Sequence, residues 1–351
     1  MRNSQRTAHI DGLRGTAVLL MVMVHAASTW NSSTASSPTV LTYFVSGLGG
    51  LAAPLFVALL GWGLHQRRLN TSQRVFRASF LLMCQFIVNL SAPHLFEAFT
   101  PGVLSLMALL ILTEPAWAMP WHRKIGSPNQ RLAAVVLAMM ALTFFGADLQ
   151  GPSSWYDRVH VPSFTTWCTH LVITGTYPLF PWVVFAAFGM TIASSSTDDQ
   201  QQMWFTTVVG GMIVSCIGLA VALNTGQAWA LPSGEALLTF FPANGLFLVA
   251  ALTGISFLWI AAERTHVLNR LQDVGQCSLS IYVVHFLPFS LFHTVDEQQN
   301  WSMNTTMLVV LAYTFLWAIV GTAWRRRAPR FTLESLMRST QKRRTFHRAH
   351  R

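Results

Sequence analysis

Residues 10–30 read IDGLRGTAVLLMVMVHAASTW, an apolar run that carries Asp11, Arg14 and His25. Eleven helical residues advance about 20° past three full turns, so Arg14 and His25 share one face, about 16 Å apart along the axis. Asp11 lies three residues before Arg14, one turn earlier on the same stripe. Ionisable groups are expensive in hydrocarbon and usually face a bundle interior or a solvated cavity. The meaning of the stripe therefore depends on whether this run crosses a membrane.

Composition says that it does. Only 10% of the 351 residues are charged, 52% are hydrophobic, and the mean hydropathy is +0.43, whereas a soluble domain carries about 25% charged residues. Apolar runs lie near 15–30, 41–64, 76–92, 102–118, 132–147, 171–194, 204–223, 237–261, 277–294 and 305–324. Each is long enough to cross a hydrocarbon core of about 30 Å. Pro54, Pro178, Pro181 and Pro242 mark expected kinks in the second, sixth and eighth runs. The expected fold is all-α: a polytopic membrane protein of about ten transmembrane helices with cytosolic N- and C-termini. With the N-terminus inside, the inward connections take three basic residues before the first span, four in 65–77, three in 119–131, two in 262–276 and ten in 325–351. Arg158 alone remains outside, as the positive-inside rule requires of so asymmetric a chain.

The net charge of +10 is then nearly all tail, because 325–351 holds ten basic residues against Glu334. The expected division is a transmembrane domain over 1–324 and a basic cytosolic tail over 325–351. A juxtamembrane polybasic segment of this kind is drawn to anionic membrane lipids, and nucleic acid is not an expected partner. The first run has the look of a secretory signal, but nine further spans follow, so it reads as a retained helix. Cys84, Cys168, Cys216 and Cys277 have no paired spacing, which implies neither a disulfide framework nor a metal site. The longest outside loop, 148–170, is rich in aromatics and turn formers and reads either as an acceptor platform or as an interfacial segment.

A second polar stripe occurs in CSLSIYVVHF (277–286), where Ser278, Tyr282 and His285 fall at i, i+4 and i+7. Of twelve histidines, His25 and His285 are the two placed deep within spans, at matching depth. Two such stripes are expected to line one solvated cavity. Arg67, Arg68, Arg74 and Arg77 crowd the connection 65–77, and Arg74 and Arg77 present two guanidinium forks one turn apart. Planar, bidentate guanidinium suits phosphate, although ordinary inside anchoring accounts for the same charges. Walker, GxGxxG, HExxH and GxSxG patterns are missing, which removes support for nucleotide hydrolysis, zinc proteolysis and serine-esterase chemistry.

IDGLRGTAVLLMVMVH resembles the first helix of the membrane acyltransferase superfamily, which joins the acyltransferase-3 proteins to the heparan-α-glucosaminide N-acetyltransferase-like proteins. Arg14 and His25 match its Arg-x10-His pattern, and Arg74 and Arg77 match the Arg-x-x-Arg pattern of the acyltransferase-3 branch. APLFVALLGWGL (53–64), TYPLFPWVVFAAFGM (176–190) and GQCSLSIYVVHF (275–286) resemble the heparan-glucosaminide branch, although the usual LFxFLSG segment reads LFVALLG here. The resemblance implies transfer of an acetyl or other short acyl group from acyl-CoA to a hydroxyl or amine of a small-molecule, glycan or lipid acceptor. It implies acetyl-CoA or another acyl-CoA as donor and no metal. His25 would be base or nucleophile, Arg14 would bind the donor with Asp11 orienting it, and Arg67, Arg68, Arg74 and Arg77 would hold its phosphates. His285, Tyr282 and Ser278 would orient the acceptor or relay protons. The expected setting is the inner membrane of a bacterium. The rival readings are a multi-pass transporter or channel using intramembrane His and Arg as a relay, and a lipid-docking structural protein acting through its tail.

Overall fold

The computed structural model describes residues 8–30 and 40–349, with side chains as far as Gln341. Among the expected inside charges, Arg2, Arg6 and Arg351 lie outside the described residues, as do the side chains of Lys342, Arg343, Arg344 and Arg348. Among the described residues the protein is 78% helical, all-α apart from two short parallel strands, Ala230–Ser233 and Leu238–Phe241, with Ala230 opposite Leu238. It forms two compact units, one of residues 1–56, 87–95 and 258–351, the other of 57–86 and 96–257.

Every expected span contains helix, although among the described residues not all ten have the length and apolarity of a crossing. Among the described residues seven helices are long and apolar enough to span a bilayer, eight if Phe164–Thr174 and Leu179–Ser194, bent by 48°, form one. Val103–Trp117 falls short because fifteen residues reach only about 22 Å. Thr71–Ser91 is long enough, but Arg74, Arg77, Gln85 and Asn89 dilute its apolarity. The eighth expected run begins as strand, and its helix starts only at Gly245, after Pro242.

In the first unit the helix Ala8–Thr29 is the centre, packed against Val267–Gly275 and the long helix Met303–Arg327. The glycines of its opening motif explain the closeness. A Cβ on Gly12 would strike the Leu268 carbonyl, one on Gly15 the Leu271 carbonyl, and one on Gly275 the Asp11 carbonyl. Small residues admit such backbone approach between membrane helices. The segment that follows breaks in mid-span. Ser278–Val284 and Leu287–Phe292 are separate helices because Pro288 has no N–H to offer the Val284 carbonyl. His285 sits at that break.

In the second unit the helix Leu179–Ser194 is buried almost throughout from Pro181 to Ile192. It packs on Pro128–Phe145 and on Val103–Trp117, with Trp182, Phe185, Phe240 and Phe247 forming an edge-on aromatic cluster at its start. Gly189 meets the Ala58 carbonyl and Gly61 the Ala186 carbonyl, a reciprocal close approach between the two motif stretches 53–64 and 176–190. Reciprocal Asn70–Gln73 bonds of 2.9 and 3.2 Å form a capping box that starts Thr71–Ser91.

The loop 148–170 is built of short helical turns pinned from within. Arg158 is 1% exposed and donates to the carbonyls of Thr174 at 2.8 Å, Gly175 and Gln150 at 3.0 Å, and Gly151 at 3.3 Å. Burial pushes its guanidinium down to about 10. Its exception to the charge asymmetry is thereby explained, because it ties backbone rather than meeting solvent or lipid. Glu97 ties the same loop, accepting from His160 Nδ1 at 2.7 Å and the Val161 amide at 2.9 Å. The His160 hydrogen bond first, then the amide, hold this carboxylate below its usual range.

Two outcomes follow for stability. Gly275→Ala forces a methyl against the Asp11 carbonyl and is expected to cost about 1–3 kcal/mol, whereas Gly63→Ala, with open space around it, is neutral or stabilising. Thermal unfolding of purified protein checks both, and equal Tm values would contradict the packing. A carboxylate with a depressed folded pKa contributes stability above the ordinary range of about 4 that disappears as pH falls through its folded value. Wild type should therefore exceed Glu97→Gln in Tm at pH 6, with the gap closing in acid; a gap independent of pH would show that the ionised form is not what matters.

Candidate active site

Asp11 is 2% exposed and uses both carboxylate oxygens. Oδ1 accepts from Arg14 Nη1 at 3.1 Å, and Oδ2 accepts from Gln276 Nε2 at 3.2 Å. Gln276 Oε1 in turn accepts from Arg325 Nε at 2.7 Å. Arg326 donates through Nε to Asp273 at 2.8 Å. The stripe's polar end is therefore a chain from Arg14 through Asp11 and Gln276 to Arg325. It supports the expected pairing of Arg14 with Asp11 and adds two partners from the far end of the sequence.

Eleven residues beyond Arg14, His25 meets His285. His25 Nδ1 lies 3.0 Å from His285 Nε2, with rings 12° from parallel. Both residues are buried, His285 completely. The hydrogens of the pair follow from its neighbours. His285 Nδ1 is 3.1 Å from the Ile281 carbonyl, which can only accept, so Nδ1 carries the hydrogen. In a neutral ring Nε2 then holds the lone pair and accepts from His25 Nδ1–H. The same reasoning leaves His25 with its lone pair on Nε2. A backbone carbonyl thus dictates which nitrogen of His25 is basic.

Aromatic rings enclose the pair. Phe286 lies 4.5 Å from His25 by ring centroids, and the buried Tyr282 stands 6.0 Å from His25 and 5.9 Å from His285. Tyr313 donates its hydroxyl to the His285 carbonyl at 2.7 Å, and Trp317 packs edge-on against the His285 ring. Tyr282 thus joins the histidines as the stripe predicted. Ser278 opens the helix two turns earlier, half-buried, while Ser280 is the fully buried serine. One turn past His25, Thr29 Oγ1 is 3.3 Å from His94 Nε2, and His94 stacks on His293 at 4.9 Å. Burial, then the neighbouring His293, lower the His94 pKa.

Arg67, Arg68, Arg74 and Arg77 belong to the second unit, as do their partners described here. Arg67 and Arg68 are exposed, and Arg74 and Arg77 are half-buried on the first two turns of Thr71–Ser91. Arg74 Nη2 pairs with Glu114 Oε2 at 3.2 Å, and His122 Nε2 bonds the other oxygen of Glu114, which is only 3% exposed. The residues that periodicity missed, Glu114, His122, Gln276, Arg325 and Tyr313, sit 8 to 265 positions from the groups they hold. A carboxylate within an apolar run, as in LLILTEPAW, was the one available signal for Glu114. Among the described residues no group of three or more His, Cys, Asp or Glu side chains converges as metal ligands would.

A buried imidazole pair on apolar helices, one helical stripe from an arginine–carboxylate pair, has the chemistry to move a proton or a group. The comparison of sequences specifies which. Residues 7–323 match the acyltransferase domain of the acyltransferase-3 family, and the chain belongs to that family. It is an acyl-transferring enzyme of the membrane, which disfavours the transporter reading. None of the curated proteins matches the chain.

The tautomer assignment is directly measurable. In ¹⁵N-histidine-labelled protein at neutral pH, His25 is expected to show protonated Nδ1 and unprotonated Nε2, and so is His285. A His25 resonance set with protonated Nε2 would reverse the relay.

Proposed function

We propose that the protein moves an acetyl or other short acyl group from cytosolic acyl-CoA to a hydroxyl or amine of a sugar, glycan, lipid or small-molecule acceptor. The observation that carries this reading is the 3.0 Å His25–His285 hydrogen bond, with its direction fixed by the Ile281 carbonyl. His25 Nε2 takes the acceptor's proton as the acceptor oxygen or nitrogen bonds to the acyl carbon. The C–S bond breaks, and the departing thiolate receives the proton. In the covalent variant Nε2 itself bonds the acyl carbon as the C–S bond breaks and the thiolate leaves; the acceptor later displaces the imidazole, whose freed Nε2 takes the acceptor's proton and returns it to the thiolate. His285 accepts the Nδ1–H in either route, raising the basicity of Nε2.

Arg14, oriented by Asp11, is proposed to hold the donor's phosphate or carbonyl end. Arg67, Arg68, Arg74 and Arg77 are proposed to receive donor phosphates, with Glu114 orienting Arg74. The distribution of basic residues supports cytosolic termini and a tail over 325–351 lying on anionic lipid; the membrane itself is proposed to be the inner membrane of a bacterium. The stretches TYPLFPW and GQCSLSIYVVHF support a placement within the family near the heparan-α-glucosaminide N-acetyltransferase-like proteins.

The test is thiol release and label transfer from radiolabelled acetyl-CoA by the full-length protein in lipid nanodiscs, with a panel of sugar and amine acceptors. His25→Ala is expected to lower turnover by about 10³-fold or more, and His285→Ala by a smaller factor. Equal turnover by wild type and His25→Ala would remove the reading. Label bound to His25 before acceptor is added selects the covalent route, and its absence selects direct transfer.

A further inference from the structure

Ser280 is completely buried in the two-turn helix that carries Tyr282 and ends at His285. Its partner comes from the tail. Glu334 Oε1 accepts from the amides of Leu279 at 2.7 Å and Ser280 at 3.4 Å, while Oε2 accepts from the Ser280 hydroxyl at 2.7 Å. The Ser280 oxygen also accepts from the Leu333 amide at 2.8 Å. The residue at the helix's own capping position, Cys277, makes no side-chain cap. A carboxylate 54 residues away in sequence performs that task instead.

Glu334 is itself well held. It lies in the first turn of the helix Leu333–Ala349, where Thr332 caps the Ser335 amide at 3.2 Å and Arg338 Nε donates to the Glu334 carbonyl at 3.1 Å. It is the only acid among the ten basic residues of 325–351, and it lies beyond the family match, which ends at residue 323. Negative charge at a helix N-terminus is favourable, and a helix of seven residues is far below the length stable alone. Its position therefore depends on what grips its first turn. The next residue after the gripped pair is Ile281, whose carbonyl fixes the hydrogen on His285.

We infer that Glu334 is a positioning residue for the histidine pair: the tail carboxylate sets the first turn of the His285 helix and, through the Ile281 carbonyl, the hydrogen-bond direction that makes His25 Nε2 the basic nitrogen. The catalytic consequence rests on the acyl-transfer reading above; the effect on the rings does not. The segment 325–351 then has a task besides contact with lipid, namely seating the helix that carries the second histidine.

The experiment uses the full-length protein in lipid nanodiscs, comparing wild type with Glu334→Ala and Glu334→Asp. Glu334→Ala is expected to lower kcat for acetyl transfer about tenfold or more, the scale of a small misplacement, while KM for acetyl-CoA stays within about twofold. The ¹⁵N ring resonances of His25 and His285 should shift away from their fixed tautomers, and Glu334→Asp should restore both readouts in part. Unchanged ring resonances in a folded Glu334→Ala protein would overturn the proposal whatever happens to turnover. Altered resonances in a protein whose His25→Ala form is fully active would uphold the positioning and sink the acyl-transfer reading instead. Where Glu334→Ala does not fold, Ser280→Ala, which leaves the Leu279 bond in place, should give the same changes at smaller size; wild-type resonances and kcat in that variant would overturn it.

Discussion

The approach of Gly275 to the Asp11 carbonyl determines where the remaining polar groups of the first helix end up. With Gly12 against Leu268 and Gly15 against Leu271, no layer of side chains separates the first helix from residues 266–276. Asp11 is then within reach of Gln276, and the two stretches continue in the same direction. His25, about 21 Å further along its helix, arrives beside His285. Any side chain at these glycines would thicken the contact and separate both polar pairs together. Gly12 and Gly15 of the DGLRG stretch therefore place these polar groups as much as Asp11 and Arg14 do.

Inside that contact nearly every strong polar group is answered. Asp11 uses both oxygens, His285 uses both ring nitrogens, and its carbonyl takes the Tyr313 hydroxyl. An unanswered buried donor or acceptor costs about 1–3 kcal/mol, so alternative tautomers, which would leave Ile281 O facing a lone pair, are disfavoured by a comparable amount. A ring whose protonation pattern is fixed in advance has no reorganisation to undergo when a proton arrives, which is the condition under which preorganised polar groups aid catalysis.

Helical periodicity reads one helix at a time, and that sets what was legible in the sequence. It found the Asp11–Arg14–His25 stripe and the Tyr282–His285 stripe, because each lies on a single segment and repeats at 3.6 residues. It found where the apolar segments lie, and among the described residues seven or eight of them have the length and apolarity of a crossing. Val103–Trp117 is shorter than that, and Thr71–Ser91 is more polar. Periodicity said nothing about Gln276, Arg325, Glu114 or Glu334, whose partners lie on other helices. The charge distribution placed Arg158 as the one basic residue outside, with no sign of the four backbone carbonyls that accept from its guanidinium. Cross-helix partners leave a trace in one sequence only as polar residues that look out of place, and such residues do not name each other.

The Glu114 pair shows why that missing information matters to chemistry. Four arginines in thirteen residues look like one anion site with four equivalent donors. A nearly buried carboxylate bonded to Arg74 and His122 breaks the equivalence. The field of Arg74 is partly offset by Glu114, which also fixes its orientation, whereas Arg67 and Arg68 are exposed cations on flexible stems. Under the proposed donor reading, the exposed pair supplies long-range attraction for a polyanion, and Arg74 supplies geometry rather than net charge. Orientation of one fork by a buried acid recurs at Asp11 and Arg14. In both units a carboxylate on a neighbouring helical turn or helix holds one guanidinium and so decides which face of it is presented.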